Sequence, residues 1–224
     1  MKMKNCKNQT ILLGTILGLM ALTSTHAADL TLQITDLKGK PVENTVFLAR
    51  SSSGLSVSKP MPRAQITQKN RTFFPLVTLV TVGTEVEFPN RDSVQHHVYS
   101  FSPAKTFDIP LYKDSSPPPL AFDKPGVVVL GCNIHDWMKA YIYVADTPYC
   151  GLSGADGSVK LTGIPAGTYA LEVWHPRLRK IQGTPIPATI KLVDDKPTTL
   201  NATLELKREI APDRSPSASE ETYH

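Results

Sequence analysis

Nineteen prolines and thirteen glycines interrupt this chain of 224 residues. Proline removes a backbone donor and glycine weakens helix interiors, so a chain cut this often has little room for long helices. No stretch sustains a helical apolar period. Instead, β-branched runs of strand length recur between the breaks, as in Val77-Thr78-Leu79-Val80, Val127 to Leu130 and Tyr141-Ile142-Tyr143-Val144. The expected class is all-β.

The first residues, Met1-Lys2-Met3-Lys4-Asn5-Cys6-Lys7, are basic, an apolar stretch runs from Ile11 to Leu22, and small residues lead to Thr25-His26-Ala27. A basic start, a short apolar middle and an A-x-A-like end describe a secretory signal peptide, cut after Ala27. The apolar run is too short for a comfortable membrane span, and no later segment approaches one. Cys6 precedes that run and is badly placed for lipidation at the cleavage point. The expected product is a soluble exported protein of the periplasm. Cleavage takes Lys2, Lys4 and Lys7, and no acid, from a formal charge of +4, so the whole-chain pI overstates how basic the mature protein is. No basic run carries interleaved aromatics, which argues against a nucleic-acid partner.

Strand signals start at Leu30 to Ile34, turn at Asp36 to Pro41 and resume at Val46 to Ala49. They continue at Phe73, at Val77 to Val80, and past Gly83 at Val86 to Phe88. After His97 to Phe101 comes a section with Ser115-Ser116-Pro117-Pro118-Pro119 that reads as an irregular surface excursion. Phe122 to Gly126 then turns the chain into the run ending at Leu130. Later strands are expected at Val159 to Leu161, Leu171 to Trp174, Thr189 to Val193 and Thr199 to Leu206. From Arg208 the tail is polar and patternless, as disordered segments are.

Cys132-Asn133-Ile134-His135-Asp136-Trp137-Met138 follows Val127 to Leu130 and carries a Cys-x2-His-x2-Met triplet. That spacing gathers a thiolate, an imidazole and a thioether on one short loop. A second imidazole from the stretch Phe88 to Tyr99, which holds His96 and His97, would complete a His2Cys trigonal set with a weak axial Met. Those are the ligands of a blue-copper centre. Zinc sites use similar Cys-x2-His spacings but rarely take methionine. A single cysteine makes the site mononuclear, and with no His-x-His pair a trinuclear copper cluster is excluded.

Plainer readings stand beside this one. Cys132 and Cys150, the two mature cysteines, could form a disulfide in an oxidising compartment. A bonded sulfur cannot be a thiolate ligand, so Cys132 is expected as ligand and Cys150 as a leftover thiol. A disulfide in the metal-free protein stays open. Met138 could be a gap-filling core residue. His175, in Trp174-His175-Pro176, reads as structural, His224 lies in the tail and His26 leaves with the leader. No triad or paired-carboxylate motif is present, so an enzyme is not expected.

The segment from about Arg63 to Val144 resembles the plastocyanins and above all the amicyanins. Their sequences read N-x5-H-N-V and C-x2-H-x2-M, matched here by Asn90 through His96-His97-Val98 and by Cys132, His135 and Met138. The whole chain is also similar to periplasmic proteins labelled as methylamine-utilisation proteins, which share Tyr99-Ser100-Phe101-Ser102-Pro103 and Gly131 to Asp136. The resemblance implies a cupredoxin Greek-key β-barrel holding one copper through His96, Cys132, His135 and Met138. It implies one-electron transfer between protein partners, such as a cytochrome c or a periplasmic dehydrogenase.

The Asn-x5-His spacing selects His96, with His97 as the alternative ligand; His97 otherwise points to the opposite strand face, where the family has Asn. Asn90, His97 and Asn133 are the expected braces of the ligands, with Asn133 bonding His97; a surface His97 is the plain alternative. Ile134 and Trp137 flank His135 as an expected apolar rim for electron exit, or as ordinary loop packing. A copper carrier or storage protein and a metal-free β-sandwich binding module are the competing functions.

A second resemblance covers the flanks. Asp156-Gly157 and Ile164-Pro165-Ala166-Gly167-Thr168-Tyr169 are similar to the second half of the carboxypeptidase-regulatory-like β-sandwich, and Ile34 to Pro41 with Val46 to Leu48 to its first half. Neither half has strands enough to close alone. The expected layout is a signal peptide at 1–27, a discontinuous sandwich at 28–60 and 148–207, an inserted cupredoxin domain at 61–147, and a disordered tail at 208–224.

Overall fold

The computed structural model describes residues 27–54, 58–182 and 189–208. The expected leader and tail lie outside these residues, except for Ala27 and Arg208. All elements among the described residues are strands, with no helix, so the molecule is all-β.

The chain starts with β1 (Ala28–Asp36) and β2 (Val46–Ser51). It then runs through β3 (Ala64–Gln65), β4 (Thr67–Gln68), β5 (Phe73–Phe74), β6 (Val77–Thr81) and β7 (Thr84–Glu87). Next come β8 (His96–Ser102), β9 (Lys105–Tyr112), β10 (Leu120–Phe122), β11 (Gly126–Gly131) and β12 (Lys139–Ala145). The last strands are β13 (Cys150–Leu152), β14 (Ser158–Ile164), β15 (Gly167–Trp174), β16 (Leu178–Gln182), β17 (Thr189–Leu192) and β18 (Thr198–Leu206).

Two four-stranded sheets, ordered β14-β1-β18-β16 and β13-β2-β15-β17, take all their strands from the two ends of the chain. Strand β1 alternates buried and half-buried residues, as a strand with one core face must. Leu30, Leu32 and Ile34 meet Phe47, Ala49, Val159, Leu161, Tyr169 and Leu204 in one core. Gly157 closes the turn before β14 with φ +71°, where a Cβ would stand 2.3 Å from the carbonyl oxygen of Ile34. Only glycine fits there.

Strands β3 to β12 form the other half: a five-stranded sheet β6-β12-β11-β8-β9, a three-stranded sheet β10-β7-β3 and the small hairpin β4-β5. Phe73, Val80, Val86, Phe88, Val98, Phe122, Val128, Leu130 and Ile142 fill its core together with Cys132 and Met138. A third cluster joins the halves: Val46 and Leu48 of β2 meet Val77, Tyr143 and Ala145. Strand β2 is therefore buried on both faces, which is why Val46-Phe47-Leu48-Ala49 reads as one apolar run.

The section after Phe101 departs from the sequence expectation. Strand β9 occupies Lys105–Tyr112 and pairs with β8 from Ser102↔Lys105 to His96↔Tyr112. It is an edge strand with half of its residues exposed, and Pro110 within it is tolerated because an edge strand leaves some N–H groups unpaired.

Candidate metal centre

His96 is the first residue of β8, and the strand's alternation turns His96, Val98 and Ser100 inward and His97, Tyr99 and Phe101 outward. Cys132, His135 and Met138 lie on the connection between the antiparallel neighbours β11 and β12, which closes above the pair Gly131↔Lys139. Within it the Met138 N–H donates to the His135 carbonyl at 2.9 Å, a turn that folds the three side chains back toward the barrel core. His96, Cys132, Met138 and His135 are 0%, 3%, 2% and 4% exposed.

The ligand-type atoms of His96, Cys132 and His135 all lie within 4.8 Å of one another. His96 Nδ1 is 3.2 Å from His135 Nδ1, and His135 Nδ1 is 3.7 Å from Cys132 Sγ. Nitrogen and sulfur ligands about 2.0–2.3 Å from one metal ion, at angles of about 100–120°, stand about 3.1–3.8 Å apart. The donor set and its spacing fit copper: two imidazoles, one thiol and a buried thioether packed in the same core as the thiol.

Asp92 sets the tautomer of His96. Its Oδ2 lies 3.0 Å from His96 Nε2 and accepts the Arg71 N–H at 2.7 Å. Burial raises the Asp92 carboxyl, but the bonds from Arg71, His96 and Ser93 outweigh it and hold the group below its ordinary value. A carboxylate only accepts, so Nε2 carries the proton and Nδ1 is left free for a metal. Burial lowers the His96 pKa more than Asp92 raises it, which keeps the ring neutral, the form that ligates.

Asn90 braces this loop from beneath. Its Nδ2 donates to the carbonyls of Val94 at 2.9 Å and Tyr112 at 2.8 Å, and its Oδ1 accepts the Asp92 N–H at 2.9 Å. His97 does not reach Asn133: its Nε2 lies 2.5 Å from Asp108 Oδ1, its ring packs against Tyr99, and Asn133 is exposed. Ile134 and Trp137 are half-buried and pack on the barrel core. The Trp137 ring lies 5.4 Å from that of His135, and its Nε1–H donates to the Arg71 carbonyl at 3.0 Å. Among the described residues both cysteines are free, Cys132 buried and Cys150 half-buried. Cys150 belongs to the cluster between the two halves, where burial raises its thiol to about 11.

Asp92 and Arg71 carry no signal in the sequence. Asn90-Arg91-Asp92-Ser93 looks like any polar turn, and the carboxylate four residues before His96 gains meaning only once the loop is folded. Arg71 acts through its main chain, which leaves no mark on residue type.

Buried His96, His135 and Cys132 with Met138 in the same core make a donor set suited to a soft or borderline metal ion. No protein-family model and no curated protein matches the chain. Among solved structures it is similar to a purple cupredoxin from Nitrosopumilus maritimus, 26% identical over 37% of this chain and 99% of that one, with a TM-score of 0.33. A point mutant of amicyanin, described as a reduced Cu(I) form at pH 4, is 18% identical over 39% of this chain and 92% of that one, with a TM-score of 0.35. A copper-containing nitrite reductase from Thermus scotoductus SA-01 is 25% identical over 51% of this chain and 28% of that one, with a TM-score of 0.35. What the site can hold follows from its own side chains.

Proposed function

We propose that this chain is an exported, periplasmic type 1 copper protein that passes single electrons between protein partners and is not itself an enzyme. The observation that carries the reading is the cluster of His96 Nδ1, His135 Nδ1 and Cys132 Sγ in the barrel core. His96, Cys132, His135 and Met138 would hold the ion. The bound ion would supply a Cu(I)/Cu(II) couple.

The chain's own residues keep that couple dry and still. All four residues are at most 4% exposed, Asp92 fixes the proton on His96 Nε2, and Asn90 ties its loop to the Val94 and Tyr112 carbonyls. A site that rearranges little between oxidation states exchanges electrons with little reorganisation, and outer-sphere transfer needs neither a substrate pocket nor a proton donor. The partners of this reading are a redox protein donor and acceptor. Strands β1–β2 and β13–β18 then read as one discontinuous sandwich that serves to dock or space the inserted copper barrel.

The test is the visible and paramagnetic spectrum of the purified protein with added copper. An intense thiolate-to-copper band is expected at one copper per chain, with loss of the band in Cys132→Ser. No such band while Cys132 is reduced would end the proposal. Copper that moves to a chelator faster than the protein exchanges electrons would replace it with a carrier.

A further inference from the structure

We propose that Arg71 is a positioning residue whose main chain couples the His96 loop to the His135 loop. Lys69 and Thr72 close a two-residue hairpin turn between β4 and β5, each N–H donating to the other's carbonyl at 3.0 and 3.1 Å. Asn70 and Arg71 occupy its centre at φ 53° and 51°, the pattern of a primed hairpin turn. Two successive non-glycine residues in the left-handed region persist only where their surroundings fix them.

The central residues of such a turn have no ladder partner for their main-chain groups, which must bond elsewhere. Arg71 sends its two groups to opposite sides of the site. Its N–H meets Asp92 Oδ2, the oxygen that also holds His96 Nε2. Its carbonyl takes the indole N–H of Trp137, whose ring packs on His135. The path His96, Asp92, Arg71, Trp137, His135 thus closes behind the two imidazoles, whose Nδ1 atoms face each other in front.

The foot of the hairpin belongs to the His96 side. The Gln68 N–H donates to the Pro89 carbonyl at 3.0 Å, and the Arg91 N–H donates to the Gln68 carbonyl at 2.9 Å. The reach across to the cysteine loop is made at the tip, by Arg71. The purpose of this brace rests on the copper reading: it sets both imidazoles before an ion arrives. Its existence does not, and it can be measured without metal.

Hydrogen exchange on the metal-free full chain reads both bonds. Asp92→Ala removes the acceptor on the His96 side alone, yet exchange of the Trp137 indole N–H on the other loop is expected to quicken about three- to tenfold. Trp137→Phe keeps an aromatic ring against His135 and removes only the donor. Exchange of the Arg71 amide is expected to quicken by a similar factor, because coupling is reciprocal. With copper added, each variant shifts the paramagnetic spectrum, and the double variant departs from the sum of the two.

Unchanged indole exchange in Asp92→Ala, or unchanged Arg71 amide exchange in Trp137→Phe, overturns the proposal. Coupled exchange in a wild-type protein that forms no copper band would sink the copper reading and leave the brace. A copper band with uncoupled exchange would do the opposite.

Discussion

Replacing Leu48 by Ala should loosen the barrel from a position outside it. Leu48 is 0% exposed and lies on β2, whose Phe47 and Ala49 enter the sandwich core while Val46 and Leu48 face Val77, Tyr143 and Ala145. Trp174 closes the same seam, its ring 5.7 Å from Tyr141 and 5.5 Å from Tyr143. Truncation removes three buried carbons and leaves a cavity that two packed sheets cannot readily collapse. The expected cost is about 3 kcal/mol, a large part of the roughly 5–15 kcal/mol that holds a typical domain. The assay is urea unfolding of the metal-free chain labelled with fluorotryptophan. Its two tryptophans give one probe beside the candidate site, Trp137, and one at the seam, Trp174. If the halves unfold as one body, both midpoints fall together, by about 1 M urea. A Trp137 midpoint that stays in place while the Trp174 midpoint falls would refute the shared seam.

Three further outcomes follow from the same structure. Gly157→Ala should cost about 3 kcal/mol, since a Cβ would meet the Ile34 carbonyl at 2.3 Å in a left-handed turn; thermal unfolding that matches wild type would contradict this. Burial lowers His175 from 6.5 to about 4, with the charge of Arg177 adding to it. The unfolded chain therefore binds the extra proton between those values, and about 3 kcal/mol of stability is present above pH 6.5 and lost as pH falls toward 4. Urea titrations across that range should show the slope in wild type and its loss in His175→Gln. Tyr143→Phe removes the hydroxyl that donates to Glu172 at 2.5 Å and should cost about 1 kcal/mol. A double-mutant cycle with Glu172→Gln that showed no coupling would assign that loss to packing.

The readable parts of the molecule are those where one side chain does one job. Cys-x2-His-x2-Met stands out because three soft or borderline ligand types at that spacing have few other uses, and the structure brings Cys132 and His135 together with His96; burial of Val46 to Ala49 on two faces shows as an unbroken apolar run. Alternation places His96 inside and His97 outside β8, since a strand has a period of two. The seam itself leaves no such trace. Tyr141, Tyr143 and Trp174 are ordinary strand residues until two distant segments meet. Strand β9 hides because an edge strand exposes half its residues and tolerates proline. The partner of His97 is hidden with it: Asp108 lies on that strand, across the ladder from Tyr99, and it takes the bond expected of Asn133.

The seam and the candidate site are joined by one strand. Strand β12 begins at Lys139, directly after Met138, and lies between β6 and β11 in the five-stranded sheet. Its Ala140, Ile142 and Val144 fill the barrel core, while Tyr141, Tyr143 and Ala145 face the seam with β2 and Trp174. A strand paired on both edges and covered on both faces has little freedom to shift. The Cys132–Met138 connection is short, and its far end is fixed to that strand. If the outer face of β12 were open to water, Tyr141 and Tyr143 would lose their packing, and the end of the Cys132–Met138 connection would be free to move. The sandwich covers that face: Glu172 accepts a hydrogen bond from Tyr143 across the seam and another from Arg50 within its own sheet. By immobilising β12 the sandwich limits how far Met138 and His135 can move relative to Cys132.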